Sequence, residues 1–296
     1  MLVSEDIYWL RHRGLATMYT TIINVDAVHA SLHDSSWRVI DCRFDLANKT
    51  AGRDAYLSGH IPGAVYADLE TDLSGPPVTG HGRHPLPTPD RLHEIFSHLG
   101  ISNNTQVVVY DQVSGSFACR LWWLLRFMGH NSAAVLDGGW QAWLQAEFPV
   151  RGGREQCPSG NFTGKPKTRW LVKVEQVPES GLLIDSRDPA RYRGEVEPLD
   201  VRAGHIPGAV NRFWKENLDI HGKFKPPVVL QREIKALLGG VDPDDAVFYC
   251  GSGVTACHNI LSVTHAGLAM PRLYAGSWSE WCSAPERPVA VGDEKH

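Results

Sequence analysis

The sequence predicts an α/β protein made of two tandem domains, each a parallel sheet flanked by helices. Three observations lead there. The string Gly-His-Ile-Pro-Gly-Ala-Val occurs at 59–65 and again at 204–210 in a chain of 296 residues, and seven identical residues in a row do not recur by chance. In each half, short β-branched runs alternate with stretches of helical spacing, the pattern of a parallel sheet covered on both faces. Between the halves lies a segment rich in Gly, Pro, Lys and Arg with no apolar periodicity, which reads as a linker. The expected division is a first domain over 19–150, a linker over 151–169 and a second domain over 170–292.

The elements follow in order. Val39-Ile40-Asp41-Cys42-Arg43 reads as a short buried strand ending in Asp-x-Arg, and Leu183-Ile184-Asp185-Ser186-Arg187 matches it. The heptapeptide follows each, with Pro62 and Pro207 setting a turn before another apolar stretch. Val107-Val108-Val109-Tyr110 and Ala246-Val247-Phe248-Tyr249 are the next strands. Leu121, Trp122, Leu124, Leu125 and Met128 then show helical spacing, and Ile260, Leu261, Val263 and Leu268 do so less cleanly. Ala118-Cys119 aligns with Ala256-Cys257 inside these segments, so both cysteines are expected to pack. Trp140 and Trp143 lie over Trp278 and Trp281, each pair on one helix face and assigned to the core.

Composition is that of a globular protein, 43% hydrophobic and 21% charged. A net charge of -4 gives no basic field for nucleic acid or an anionic membrane. No run reaches the roughly 18 apolar residues a membrane helix needs. The stretch 1–15 mixes Glu5, Asp6, Arg11, His12 and Arg13 with short apolar runs and reads as no secretory signal, while Met18 offers a second start. The six cysteines form no Cys-x-x-Cys pair. They are expected to be reduced thiols of a cytoplasmic protein, with no disulfide framework, metal or cofactor.

In parallel sheets, ligands sit beyond the carboxyl ends of the strands, where the next helix presents free N–H groups. After Tyr110 stands Asp111; after Tyr249, at the duplicate position, stands Cys250. Gly251 and Gly253 let the backbone curl so that successive N–H groups face one anion, and Ser252 and Thr255 add hydroxyl donors. Such a loop favours the thiolate and suits a nucleophilic sulfur. Asp111 can sit in the same ring of donors but cannot perform thiol chemistry. The first half then reads as scaffold and the second as the working half. His60, His205, Asp185 and Arg187 have counterparts in both halves and are therefore read as fold-holding.

The doubled heptapeptide, the paired Asp-x-Arg strands, Cys250-Gly251-Ser252-Gly253-Val254-Thr255-Ala256-Cys257 and Gly276-Ser277-Trp278-Ser279-Glu280-Trp281 resemble the two-domain rhodanese family. The cysteine loop resembles that of the family's 3-mercaptopyruvate sulfurtransferases; the thiosulfate sulfurtransferases usually carry basic residues where this chain has Gly251 and Ser252. The resemblance implies two rhodanese-like domains, the first inactive and the second catalytic, with the site at their interface. It implies that Cys250 takes a sulfur from mercaptopyruvate or thiosulfate as a persulfide and passes it to a small thiol, cyanide or a thioredoxin-like protein. Arg191 matches the substrate-binding arginine, with Gly251, Gly253, Val254 and Thr255 cradling the substrate. Asp68 and His84 match family positions that pair with Ser252 in a proton relay, histidine being suited to protonate a pyruvate enolate near neutral pH. A second arginine, usual in a Glu-Pro-Arg string, is missing here: the string is Glu197-Pro198-Leu199-Asp200, and Arg202 is the nearest replacement.

Two other readings compete with this one. A phosphatase-like loop needs an arginine six residues after the cysteine, and Ala256 stands there. A non-enzymatic module that carries sulfur or binds a partner would keep Cys250 without needing Arg191 or His84.

Overall fold

The computed structural model describes residues 18–293, so the stretch 1–15 lies outside the described residues. In the first half come β1 (Ile22–Ile23), α1 (Val25–Ala30), β2 (Trp37–Asp41), α2 (Ala51–Ser58), β3 (Val65–Tyr66), α3 (Pro89–His98), β4 (Gln106–Tyr110), α4 (Ala118–Phe127), β5 (Ala133–Leu136) and α5 (Gly139–Gln145). The second half runs through β6 (Leu171–Val172), β7 (Leu182–Asp185), α6 (Pro189–Tyr192), β8 (Val210–Asn211), α7 (Pro227–Leu238), β9 (Ala246–Tyr249), α8 (Ala256–His265), β10 (Arg272–Tyr274) and α9 (Ser277–Trp281). The sheet orders are β1-β5-β4-β2-β3 and β6-β10-β9-β7-β8, which are the same order written twice. Every pairing within them is parallel. The register repeats too: Asp41 stands opposite Tyr110, and Asp185 opposite Tyr249.

The heptapeptide forms the same lock in both halves. Ala64 N–H donates to Ile61 O at 2.9 Å and Ala209 N–H to Ile206 O at 3.1 Å. Pro supplies the first central residue of each turn, and Gly63 (φ +80°) and Gly208 (φ +79°) supply the left-handed second one. Arg43 grips the Asp41 carboxylate at 2.6 Å and donates to Gly59 O at 2.6 Å; Arg187 does the same to Asp185 and Gly204 O at the same distances. His60 Nδ1 and His205 Nδ1 each lie 2.8 Å from a carbonyl, of Tyr56 and Tyr192. These histidines and Asp-x-Arg pairs hold turns onto strands.

Residues 151–169 are an ordered strap over the first half, with backbone donors satisfied by its carbonyls. Gly153 N–H reaches Leu57 O at 2.8 Å, Gly160 N–H reaches Ser97 O at 2.7 Å and Lys167 N–H reaches Phe127 O at 2.8 Å.

What positions the site is the packing of α4 against α8. Every residue of α4 except Arg126 is buried, because the helix has the first sheet on one side and the second half on the other. One apolar cluster therefore runs from Val109, Trp122 and Leu125 to Phe248, Ile260 and Leu261 without a break. Trp143 and Trp278 are fully buried, as the helix spacing predicts. No helix among the described residues is long and apolar enough to cross a membrane.

Candidate active site

The overlay of the halves puts Asp111 and Cys250 at equivalent strand ends, and their surroundings are equivalent as well. Asp111 accepts from the N–H groups of Val113, Gly115, Phe117 and Ala118 at 2.7–2.9 Å. The Cys250 sulfur faces the Thr255 hydroxyl and the N–H groups of Ser252, Ala256 and Val254. Burial pushes this thiol up, but the four donors more than offset it and hold Cys250 below the ordinary thiol range. Cys257 shows the contrast: burial, with no such nest, pushes it up to about 12. Cys119, its counterpart, is also fully buried and pushed up. Both pack, as expected.

The glycines of the loop serve different ends. Gly253 takes φ +75°, and a Cβ there would lie 2.4 Å from Ala275 O. This bend turns alternate N–H groups toward the sulfur. Gly251 leaves space for two guanidiniums: a Cβ there would meet Arg83 Nη2 at 2.9 Å and Arg191 Nη1 at 3.5 Å. Behind the loop, the Gly-Ser-Trp-Ser motif fixes its backbone. Ser277 Oγ accepts from Cys250 N–H at 3.1 Å, Trp278 N–H donates to Cys250 O at 2.9 Å, and Ser279 N–H donates to Gly251 O at 2.9 Å.

A cavity of about 370 Å³ opens over Cys250 between the halves. His84, Arg83, Leu69, Gln112 and Phe117 line it from the first half; Cys250, Gly251, Ser252, Val254, Thr255 and Arg191 line it from the second. His84 Nδ1 lies 2.7 Å from Ser252 Oγ. Burial, then the charges of Arg120 and Arg83, push this imidazole down to about 3, so it is neutral throughout the physiological range. A neutral imidazole suits His84 to pass a proton through Ser252.

Asp68 is not joined to this pair. Its carboxylate accepts from Glu70 N–H at 2.9 Å and Thr71 N–H at 3.3 Å, closing its own turn, with Tyr66 Oη at 3.4 Å. Arg202 is also elsewhere. It donates to the carbonyls of Cys282, Ala284 and Arg287 at 2.8–3.1 Å and ties down the C-terminal segment. These contacts commit the guanidinium to the C-terminal segment, and Arg202 does not line the cavity over Cys250.

Two arginines escaped the sequence reading. Arg83 precedes His84 and pairs with Asp200. Arg120, on α4, is fully buried and donates to Gly253 O at 3.0 Å, His84 O at 2.9 Å and Leu73 O at 3.2 Å. No carboxylate pairs with it among the described residues. Its counterpart is His258, whose Nε2 lies 3.1 Å from Ser114 O in the first half. Each half thus sends one side chain to the nest of the other. The only signal in the sequence was a cation on the apolar part of the helix, beside Cys119 and Leu121.

A larger cleft of about 580 Å³ on the first half, beside Arg53, Tyr66 and Cys157, is remote from this chemistry. Burial pushes the Cys157 thiol up, and no donor nest surrounds it. No group of three His, Cys, Asp or Glu side chains among the described residues is placed to hold a metal.

The chain is similar to known proteins along most of its length. A family model for the rhodanese-like domain matches residues 24–146 and 171–284. The chain is 45% identical over 279 residues to a probable 3-mercaptopyruvate sulfurtransferase of Pseudomonas aeruginosa, covering 92% of this chain and 98% of that one. It is 38% identical over 263 residues to a putative thiosulfate sulfurtransferase of Mycobacterium tuberculosis, covering 86% and 90%. Among solved structures, the 3-mercaptopyruvate sulfurtransferase from Leishmania major aligns with a TM-score of 0.82 at 31% identity, over 91% of this chain and 76% of that one.

Proposed function

The chain belongs to the rhodanese family and is a sulfurtransferase, and from that premise we propose that Cys250 carries the sulfur and that 3-mercaptopyruvate donates it. The observation that carries this reading is the nest of three N–H groups and one hydroxyl around the Cys250 sulfur, with two guanidiniums alongside.

The Cys250 thiolate attacks the donor sulfur. A sulfur–sulfur bond forms, the donor's carbon–sulfur bond breaks, and its electron pair goes to the enolate of pyruvate. The outer sulfur gives up the donor thiol's proton to solvent, and the nest stabilises the negative charge on the persulfide that remains. Ser252 is the group in this reading that protonates the enolate carbon. His84 restores the hydroxyl proton from Nδ1 and takes one from solvent at Nε2, so the neutral imidazole passes a proton by exchanging which ring nitrogen carries it. A thiol, cyanide or a thioredoxin-like dithiol then attacks the outer sulfur and releases the Cys250 thiolate.

In this reading 19–150 is a non-catalytic domain that lends His84 and Arg83, 151–169 straps it in place, and 170–292 carries the nucleophile. Arg191 binds the donor carboxylate. The six free cysteines support a reducing compartment, the cytoplasm.

The test is a comparison of kcat/KM for 3-mercaptopyruvate and thiosulfate. The reading predicts a clear preference for mercaptopyruvate, lost in Arg191→Ala. A preference for thiosulfate would move the chain to the activity that the mycobacterial relative's name describes.

A further inference from the structure

Asp200 places its carboxylate between two guanidiniums from opposite halves of the chain. One oxygen pairs with Arg83 Nη1, and the other lies 3.1 Å from Arg191 Nη2. The Asp200 side chain is only 4% exposed, against 31% for Arg83. Glu197 also holds Arg191, at 2.7 Å, and is itself shared with Arg187 at 3.3 Å. Arg191 therefore keeps an ion pair whether or not Asp200 is present. Arg83 has no carboxylate partner but Asp200 among the described residues.

The string that lacks the expected arginine thus ends in a residue doing the opposite job. Leu199, at the missing position, is 46% exposed on the cavity rim, and Asp200 after it turns a carboxylate inward. Both guanidiniums stand against Gly251, within reach of whatever lies over the Cys250 sulfur. Two cations this close repel each other, and both lose water, so an anion between them is required. Burial, and then the Arg191 charge, push Arg83 below the ordinary guanidinium range.

We propose that Arg83 and Arg191 together grip the carboxylate of the donor, and that Asp200 is a resident carboxylate that occupies the clamp until the donor displaces it. This rests on the sulfurtransferase reading above and adds a determinant of donor specificity supplied by the non-catalytic half. Exchange of one carboxylate for another keeps both guanidiniums paired at each stage. A neutral sulfur donor has no charge with which to displace Asp200, so the clamp selects an anionic donor, while an acceptor thiol reaches the persulfide sulfur without entering the clamp. Asp200 lies in the loop between α6 and β8, where the backbone has no ladder to hold it.

The test is steady-state kinetics with 3-mercaptopyruvate and a dithiol acceptor. In Asp200→Asn, kcat/KM rises about fivefold, because the donor no longer competes with a resident charge. In Arg83→Gln it falls about tenfold or more through KM, and Arg83→Lys, which keeps the charge but not the fork, lies between. With Arg83→Gln present, Asp200→Asn loses most of its gain. A fall in Asp200→Asn matching that of Arg83→Gln would overturn the proposal, since Asp200 would then serve only to position the arginines. An unchanged KM in Arg83→Gln would overturn it as well. Intact mass separates the two levels: a wild-type protein that takes no sulfur from the donor refutes the underlying reading, whereas one that loads sulfur but ignores both substitutions refutes only the clamp.

Discussion

The imidazole of His84 lies 2.7 Å from the hydroxyl of Ser252, across the boundary between the two halves. Neither half alone holds this pair. Arg120 holds both sides of it, donating to the carbonyl of His84 at 2.9 Å and to Gly253 O, next to Ser252, at 3.0 Å. One buried cation on α4 thereby sets the spacing between the proton relay and the sulfur loop.

Because His84 is pushed down to about 3, it does not titrate near the ordinary histidine value of about 6.5. The acid limb of kcat/KM should instead follow the Cys250 thiol, rising with pH through a value below the ordinary thiol range. His84→Gln is expected to lower kcat by about 100-fold while leaving that limb in place. If the limb vanishes with His84, the imidazole is the titrating group and the assignment is wrong.

Arg120 is a positioning residue: burial pushes its guanidinium below the ordinary range, and the nearby Cys257 and Cys250 sulfurs work against that. Arg120→Met should raise the Cys250 thiol pKa and shift the pH dependence of its alkylation upward. A loss of stability of about 2 kcal/mol should accompany it, from carbonyls left unpaired. Lower stability with an unmoved alkylation profile would leave Arg120 a structural tie only.

Acid should weaken the fold through two histidines. His258 Nδ1 faces the Asn217 amide nitrogen at 3.2 Å and Nε2 faces Ser114 O at 3.1 Å, so only a neutral ring with the proton on Nε2 satisfies both. Like His84, it is pushed down to about 3, chiefly by burial. Below about pH 6.5 the unfolded chain binds protons that the folded chain refuses. Stability is therefore full above that pH and falls as pH drops toward 3, by up to about 1.4 kcal/mol per unit for each histidine. Urea midpoints at pH 7.5 and 5 should diverge in the parent and diverge less in His258→Gln, where the linkage through His84 remains. Equal divergence in both would remove His258 from the account.

The duplication made much of this legible before any coordinates. A repeat is a local signal, and turns, strand ends and the Asp111–Cys250 equivalence are local features. Arg191 and Ser252 lie near motifs and were found with them. What the sequence did not yield crosses the interface. Arg83 meets Asp200 over 117 residues, and Arg120 meets Gly253 over 133, with no period to announce either pair. The use of Asp68 was illegible for the same reason. A carboxylate two residues before Glu70 can close its own turn, and nothing in one sequence tells that use from a relay. Arg202 was chosen by proximity along the chain, whereas the cavity recruits its second arginine by proximity in space.

The central claim is that sulfur passes through Cys250. The most direct measurement is the intact mass of the protein after brief incubation with 3-mercaptopyruvate and no acceptor, with pyruvate measured in the same sample. The account predicts a gain of about 32 Da mapped to Cys250, matched by one pyruvate and removed by a thiol, and neither product in Cys250→Ser. Pyruvate release with the mass of Cys250 unchanged, or an adduct on another cysteine, would contradict it.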